Sequence, residues 1–189
     1  MVERVVSGSA ASQADMQTCF DAAQALKNDG NKLIGVGFSY RALHKYQRAL
    51  DILAKFAPQS RGPVTPGFPP NFSPVEPEST QTSARSHSLH CILLSNVAAC
   101  YLQLRKWNAA VQVCGELLDK MAPSLAPDIR LKTLVRRCKA CAELGDWETA
   151  LSDLHAVKAQ SVEAWSGLAE VAKRCADMKQ AHAARQRSV

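Results

Sequence analysis

Apolar residues along this chain recur at intervals of three and four. One stretch places them at Ala42, Leu43, Tyr46, Ala49 and Leu50, another at Ala110, Val111, Val113, Cys114, Leu117 and Leu118. Residues so spaced share one face of an α-helix, and the alternation expected of a strand is missing from both stretches. The pattern itself repeats. The windows Gly30 to Leu50, Ala98 to Leu118 and Cys138 to Val157 can be laid over one another. Each combines small residues on a first helix, a short break near an aromatic, and an anchoring alanine at Ala42, Ala110 or Ala150. Each window is therefore predicted to be a helix-turn-helix, and the chain to be all-α. A further run, Val162, Trp165, Leu168, Val171, Ala172 and Cys175, keeps the same period and predicts a capping helix over 161–186 that covers the last hairpin's apolar face.

These hairpins resemble the tetratricopeptide repeat, a unit of about 34 residues with small residues where its paired helices touch. Ala42 and Ala110 lie 68 residues apart, one unit plus an insertion of similar length, and Ala110 and Ala150 lie 40 apart. The longer second interval is accommodated by the loop from Met121 to Pro127. The resemblance covers Lys27 to Val157 and implies three repeats wound into a right-handed superhelix. The expected organisation is a flexible segment over 1–14, repeat one over 15–56, repeat two over 87–121 and repeat three over 128–160, followed by the cap. Between the first two repeats, Ala57 to Ser86 holds seven of the nine prolines. Proline lacks the amide donor and restricts its predecessor, so 57–86 is expected to be a long loop of polyproline character and not a helix. A functional reading makes it a proline-motif ligand or a phosphorylation-prone switch around Ser73, Ser79 and Thr80, but a solvated insertion is the favoured reading because loop closure costs little more as loops lengthen.

Composition narrows the partners. With 189 residues and 47% hydrophobic content the chain can bury the core of one elongated domain, and with only 6% aromatics that core must rest on alanine and leucine. No run reaches the 18 apolar residues of a membrane span, and the opening MVERVVSGSAASQADMQ lacks the apolar segment of a secretory signal. A soluble, cytoplasmic protein without a membrane partner is expected. The net charge of +6 suits an acidic partner. The basic stretch Lys173, Arg174, Lys179, Arg185 and Arg187 has no interleaved aromatic for stacking, so a solvated helix face is favoured over a nucleic-acid surface. Seven cysteines, an odd number lying mostly among apolar residues, read as reduced and buried thiols. Cys138 and Cys141 form a Cys-x-x-Cys without a second such pair, and are expected to pack in the core. His87, His90 and Cys91 make the other metal-like cluster, but lack a fourth ligand at a sensible spacing and read as ordinary polar residues near a helix start. No metal, cofactor or catalytic residue is assigned. Gly35-Val36-Gly37 follows no strand and is no nucleotide fingerprint, so an enzyme is not expected.

The polar residues most suggestive of chemistry are Lys27, Asn31, Asn96, Lys132 and Arg136. Lys27 and Asn31 are four apart on the first helix of repeat one, Lys132 and Arg136 four apart on the first helix of repeat three, and Asn96 lies on the helix between. Together they present cations and neutral amides, with no acidic residue at any of the five positions, as a receptor for paired carboxylates would require. The set resembles the two-carboxylate clamp of heat-shock co-chaperones. That family's Lys-x-x-Gly-Asn is matched by Lys27 to Asn31, its Asn before small residues by Asn96 with Ala98 and Ala99, and its Lys-x-x-x-Arg by Lys132 and Arg136. The resemblance implies an adaptor that grips the acidic Glu-Glu-Val-Asp tail of heat-shock protein 90 or 70 chaperones. Lys27, Asn31 and Asn96 would hold the terminal carboxylate, Lys132 and Arg136 the acidic side chains. Two departures stand out: Val97 replaces the family's arginine after Asn96, and Ser39 separates Phe38 from Tyr40. Repeats two and three, with the long Met121 to Asp128 connection, also resemble the repeat region of dynein axonemal assembly factors, which implies a multi-subunit client. The alternative is a scaffold that joins non-chaperone partners, ciliary or dynein assembly complexes among them, without recognising a tail.

Overall fold

The computed structural model describes residues 13–56, 77–121 and 124–187. Among these the secondary structure is entirely helical: α1 (Gln13–Gly35), α2 (Ser39–Phe56), α3 (Pro77–Gln103), α4 (Trp107–Gly115, running into a π-helical turn over Glu116–Lys120), α5 (Pro127–Leu144), α6 (Trp147–Gln160), α7 (Val162–Ser166) and α8 (Ala169–Arg187). Successive helices from α1 to α6 pack on their neighbours in the chain, α8 closes over α6, and α3 also packs on α5. Such a stack is repeat-like, since every helix is covered mainly by elements near it in sequence.

Local chemistry sets the breaks. Gly37 and Gly145 adopt left-handed backbone, φ 85° and 81°, at the turns after α1 and α5, where glycine carries no steric penalty. Arg105 takes the same conformation after α3 without that freedom, at φ 55°. Pro127 occupies the first turn of α5, where its missing amide is no loss. Asp146 and Ser161 cap α6 and α7 by accepting from the amides of Thr149 and Ala164, each at 3.1 Å.

Two expectations about element limits are corrected. The proline-rich insertion extends only to 76, because α3 begins at Pro77. No proline follows Pro77 until Pro123, and a proline at a helix start costs nothing, so the serine and threonine residues after it join the helix. Ser79 and Thr80 are thus helical, whereas Ser73, the rest of the insertion and residues 1–12 lie outside the described residues. The single capping helix is in fact two, α7 and α8, divided at Gly167, the residue with the weakest helix propensity short of proline.

The anchoring alanines Ala42, Ala110 and Ala150 are completely buried. One core joins α1, α2 and α3 around Tyr46, Leu93 and Leu53. A second joins α5, α6 and the cap around Leu134, Leu154, Val157 and Leu168. Cys138 and Cys141 lie in this second core with no exposed surface, as the packing reading expected. Burial pushes their thiols up to about 12 and about 11. The same core holds an ion pair: Arg137 donates from Nε and Nη2 to Asp153 at 2.9 and 2.7 Å, with the Asp153 side chain only 2% exposed. No described helix is long and apolar enough to cross a membrane.

Candidate anion-binding groove

Asn31 on α1 and Asn96 on α3 meet across 65 residues of sequence. Asn96 Nδ2 donates to Asn31 Oδ1 at 3.2 Å, and the Tyr46 hydroxyl from α2 donates to the same oxygen at 2.8 Å. Burial, with a smaller contribution from Cys100, pushes the Tyr46 phenol up to about 12, so it remains a donor throughout the physiological range. With the Tyr46 hydroxyl and the Asn96 amide both donating to it, the Asn31 oxygen is turned inward, which leaves the Asn31 Nδ2 hydrogens and the second Asn96 hydrogen for an external acceptor. Gly30 makes this approach possible: a Cβ there would lie 2.8 Å from Tyr46 Cζ and nearer still to Cε1. Lys27, half-buried one turn before Asn31, forms no ion pair with another described residue.

On α5 the two cations are held differently. Arg136 Nη1 donates to the Ser95 carbonyl at 2.8 Å and also to the Ser95 hydroxyl. Ser95 and Thr133 are buried and their hydroxyls are 3.3 Å apart, while Thr133 returns its own hydrogen to the Ile129 carbonyl at 2.7 Å. Burial lowers the Arg136 pKa, countered by Cys114 and Tyr46, but a guanidinium stays charged in any protein. Lys132 is 58% exposed and its ammonium lies 3.4 Å from Asp128, one turn earlier. None of the five positions is itself acidic, but Asp128 next to them is a competing carboxylate for Lys132. Asp128 stands in the first turn of α5, where a carboxylate favours the helix dipole and faces the residue four later.

Lys132 and Arg136 also line a cavity of about 670 Å³ between α3, α5 and the cap. Its walls are apolar at Leu102, Trp107, Leu131 and Val135, and polar at Gln103, Lys139 and Glu143. Arg174 neutralises Glu143 at 2.8 Å. Asn31, Asn96 and Lys27 do not line this cavity. The five residues thus fall into an amide pair with Lys27 and a cationic pair beside the cavity, joined through Ser95 and its neighbour Asn96.

Sequence reasoning missed Tyr46, Ser95 and Lys139. Ser95 directly precedes Asn96, and Lys139 is seven residues after Lys132, so both carried a positional signal; Tyr46, one apolar residue among many, carried none. No family model matches the chain, and no curated protein matches it either.

Proposed function

We propose that the groove binds the acidic C-terminal tail of a protein partner, of the Glu-Glu-Val-Asp type carried by heat-shock protein 90 and 70 chaperones. On this reading the chain is a tetratricopeptide-repeat adaptor of the carboxylate-clamp kind, recruiting chaperone to a multi-subunit client. The supporting observation is the Asn31–Asn96 contact. It joins two amide side chains from helices far apart in sequence, with Tyr46 donating to the Asn31 oxygen. Two carboxylates are suited by two centres: amide hydrogens with the Lys27 ammonium for a chain terminus, Lys132 and Arg136 for an acidic side chain.

Titration with a fluorescent Met-Glu-Glu-Val-Asp peptide tests the reading. Binding in the micromolar range is expected, about 8 kcal/mol. Amidating the peptide's C-terminus should weaken it by about ten-fold or more, because charge-assisted contacts are lost. Equal affinity for the two peptides rejects tail recognition. Val36, Phe38 and Tyr40, 67%, 53% and 71% exposed at the turn between α1 and α2, would then favour a scaffold that docks other proteins by this edge.

A further inference from the structure

Away from the groove, an imidazole and two sulfurs converge where α3 passes the end of the π-helical turn. His87 and Cys91 lie one helical turn apart on α3, and Met121 directly follows the turn. Cys91 Sγ is 3.7 Å from His87 Nε2 and 3.6 Å from Met121 Sδ. Among the described residues no three His, Cys, Asp or Glu side chains gather as a metal site. Here the third donor is a thioether, and that decides the chemistry. Thiolate and thioether together are soft ligands, which suit monovalent copper and are poor for calcium or magnesium.

The two edges that meet at Cys91 have the lengths of a shared metal centre. Metal–nitrogen and metal–sulfur bonds of about 2.0 and 2.3 Å at a trigonal angle separate the two donor atoms by about 3.7 Å. A sulfur–sulfur edge of 3.6 Å corresponds to an angle only modestly smaller. We propose that His87, Cys91 and Met121 form a three-coordinate site for monovalent copper. Cys91 is 3% exposed beside buried Leu117, Leu125 and Ile129, an apolar wall that keeps water from the metal. His87 is exposed and Met121 half-buried, which leaves an entry side. The imidazole nitrogen also hydrogen-bonds to Ser124 Oγ at 2.8 Å, a contact that copper would displace. On binding, the Cys91 thiol gives its proton to solvent as the copper–sulfur bond forms, and copper remains monovalent throughout, so affinity rises with pH.

The test is an anaerobic titration of the full chain with monovalent copper against bicinchoninate, in a Cys19→Ser background because Cys19 is the half-buried thiol. One copper should be held with His87, Cys91 and Met121 intact. Met121→Leu keeps the apolar volume, and it and His87→Ala should each weaken that binding by at least about ten-fold, while Cys91→Ser abolishes it. Circular dichroism establishes that each variant is folded. Unchanged copper affinity in both Met121→Leu and His87→Ala overturns the proposal, as does equal retention of Zn²⁺ by the starting protein.

Discussion

Lys132 and Arg136 sit one turn apart on α5, yet their substitutions should separate. Lys132 is 58% exposed and paired only with exposed Asp128, an arrangement worth about 0 to 1 kcal/mol to folding. Lys132→Ala should thus weaken acidic-tail binding by about 1 to 3 kcal/mol while leaving the melting temperature nearly unchanged. Arg136→Ala should lower both, since Ser95 loses a charged donor and about 1 to 3 kcal/mol of stability goes with it. Calorimetry and thermal melts on the two variants check this; identical melts would show that the Ser95 contact does not hold α3 to α5. Tyr46→Phe is a finer probe, because the ring stays and only the hydroxyl bond to Asn31 is removed. Its expected cost is about 1 kcal/mol in folding and a several-fold weaker tail affinity, read by titration; unchanged affinity would mean that the Asn31 amide needs no fixing. The polar face itself was legible from spacing, because four-residue intervals place Lys27 with Asn31 and Lys132 with Arg136 whatever the tertiary structure. What fixes those side chains was not legible. The partners of Arg136 and Asn31 come from other helices, and no local period encodes such contacts.

Helix identities were readable because periodicity is a local property, and the anchors Ala42, Ala110 and Ala150 are fully buried as their spacing implied. Limits were read less well wherever composition stood in for geometry. Proline density marked 57–86 as loop, but only prolines inside a helix break it, and Pro77 stands at the start of α3. The joint between α1 and α2 gives the sharpest test at this level. Gly30→Ala would gain about 1 kcal/mol of helix propensity in an exposed helix. Here the added methyl would collide with the Tyr46 ring, so a net loss of about 1 to 3 kcal/mol is expected from overpacking. A variant as stable as the parent in urea titration would show that α1 and α2 can separate freely. The joint between α5 and α6 depends instead on charge. Asp153→Ala removes both close hydrogen bonds of Arg137, whose side chain is 19% exposed and keeps only the exposed Asp119 at 3.8 Å, and should cost about 2 to 4 kcal/mol. A stability loss under about 1 kcal/mol, as for a surface pair, would contradict the buried geometry.

Because the stack is built on small residues, cysteine serves throughout as a core hydrophobe, and this gives the molecule a distinctive response to alkali. Cys100, Cys114, Cys138 and Cys141 are fully buried, with burial pushing their thiols up to about 11, 12, 12 and 11 from the ordinary 9.0. In the unfolded chain the same thiols lose their protons near pH 9. A group whose folded value is raised contributes its stability fully below the unfolded value and loses it as pH climbs toward the folded one. Each such thiol should therefore remove stability at up to about 1.4 kcal/mol per pH unit above pH 9. Urea midpoints measured in a reducing buffer should be flat from pH 7 to 8 and fall steeply by pH 10, and Cys114→Ala should make that fall shallower. Six of the seven cysteines are buried and Cys19 is half-buried, so a thiol reagent at pH 8 should modify Cys19 promptly in the native chain, Cys91 slowly from its entry side, and the other five only in denaturant. Rapid reaction of several native thiols, or a midpoint that does not move up to pH 10, would show that these sulfurs are not sealed inside the stack.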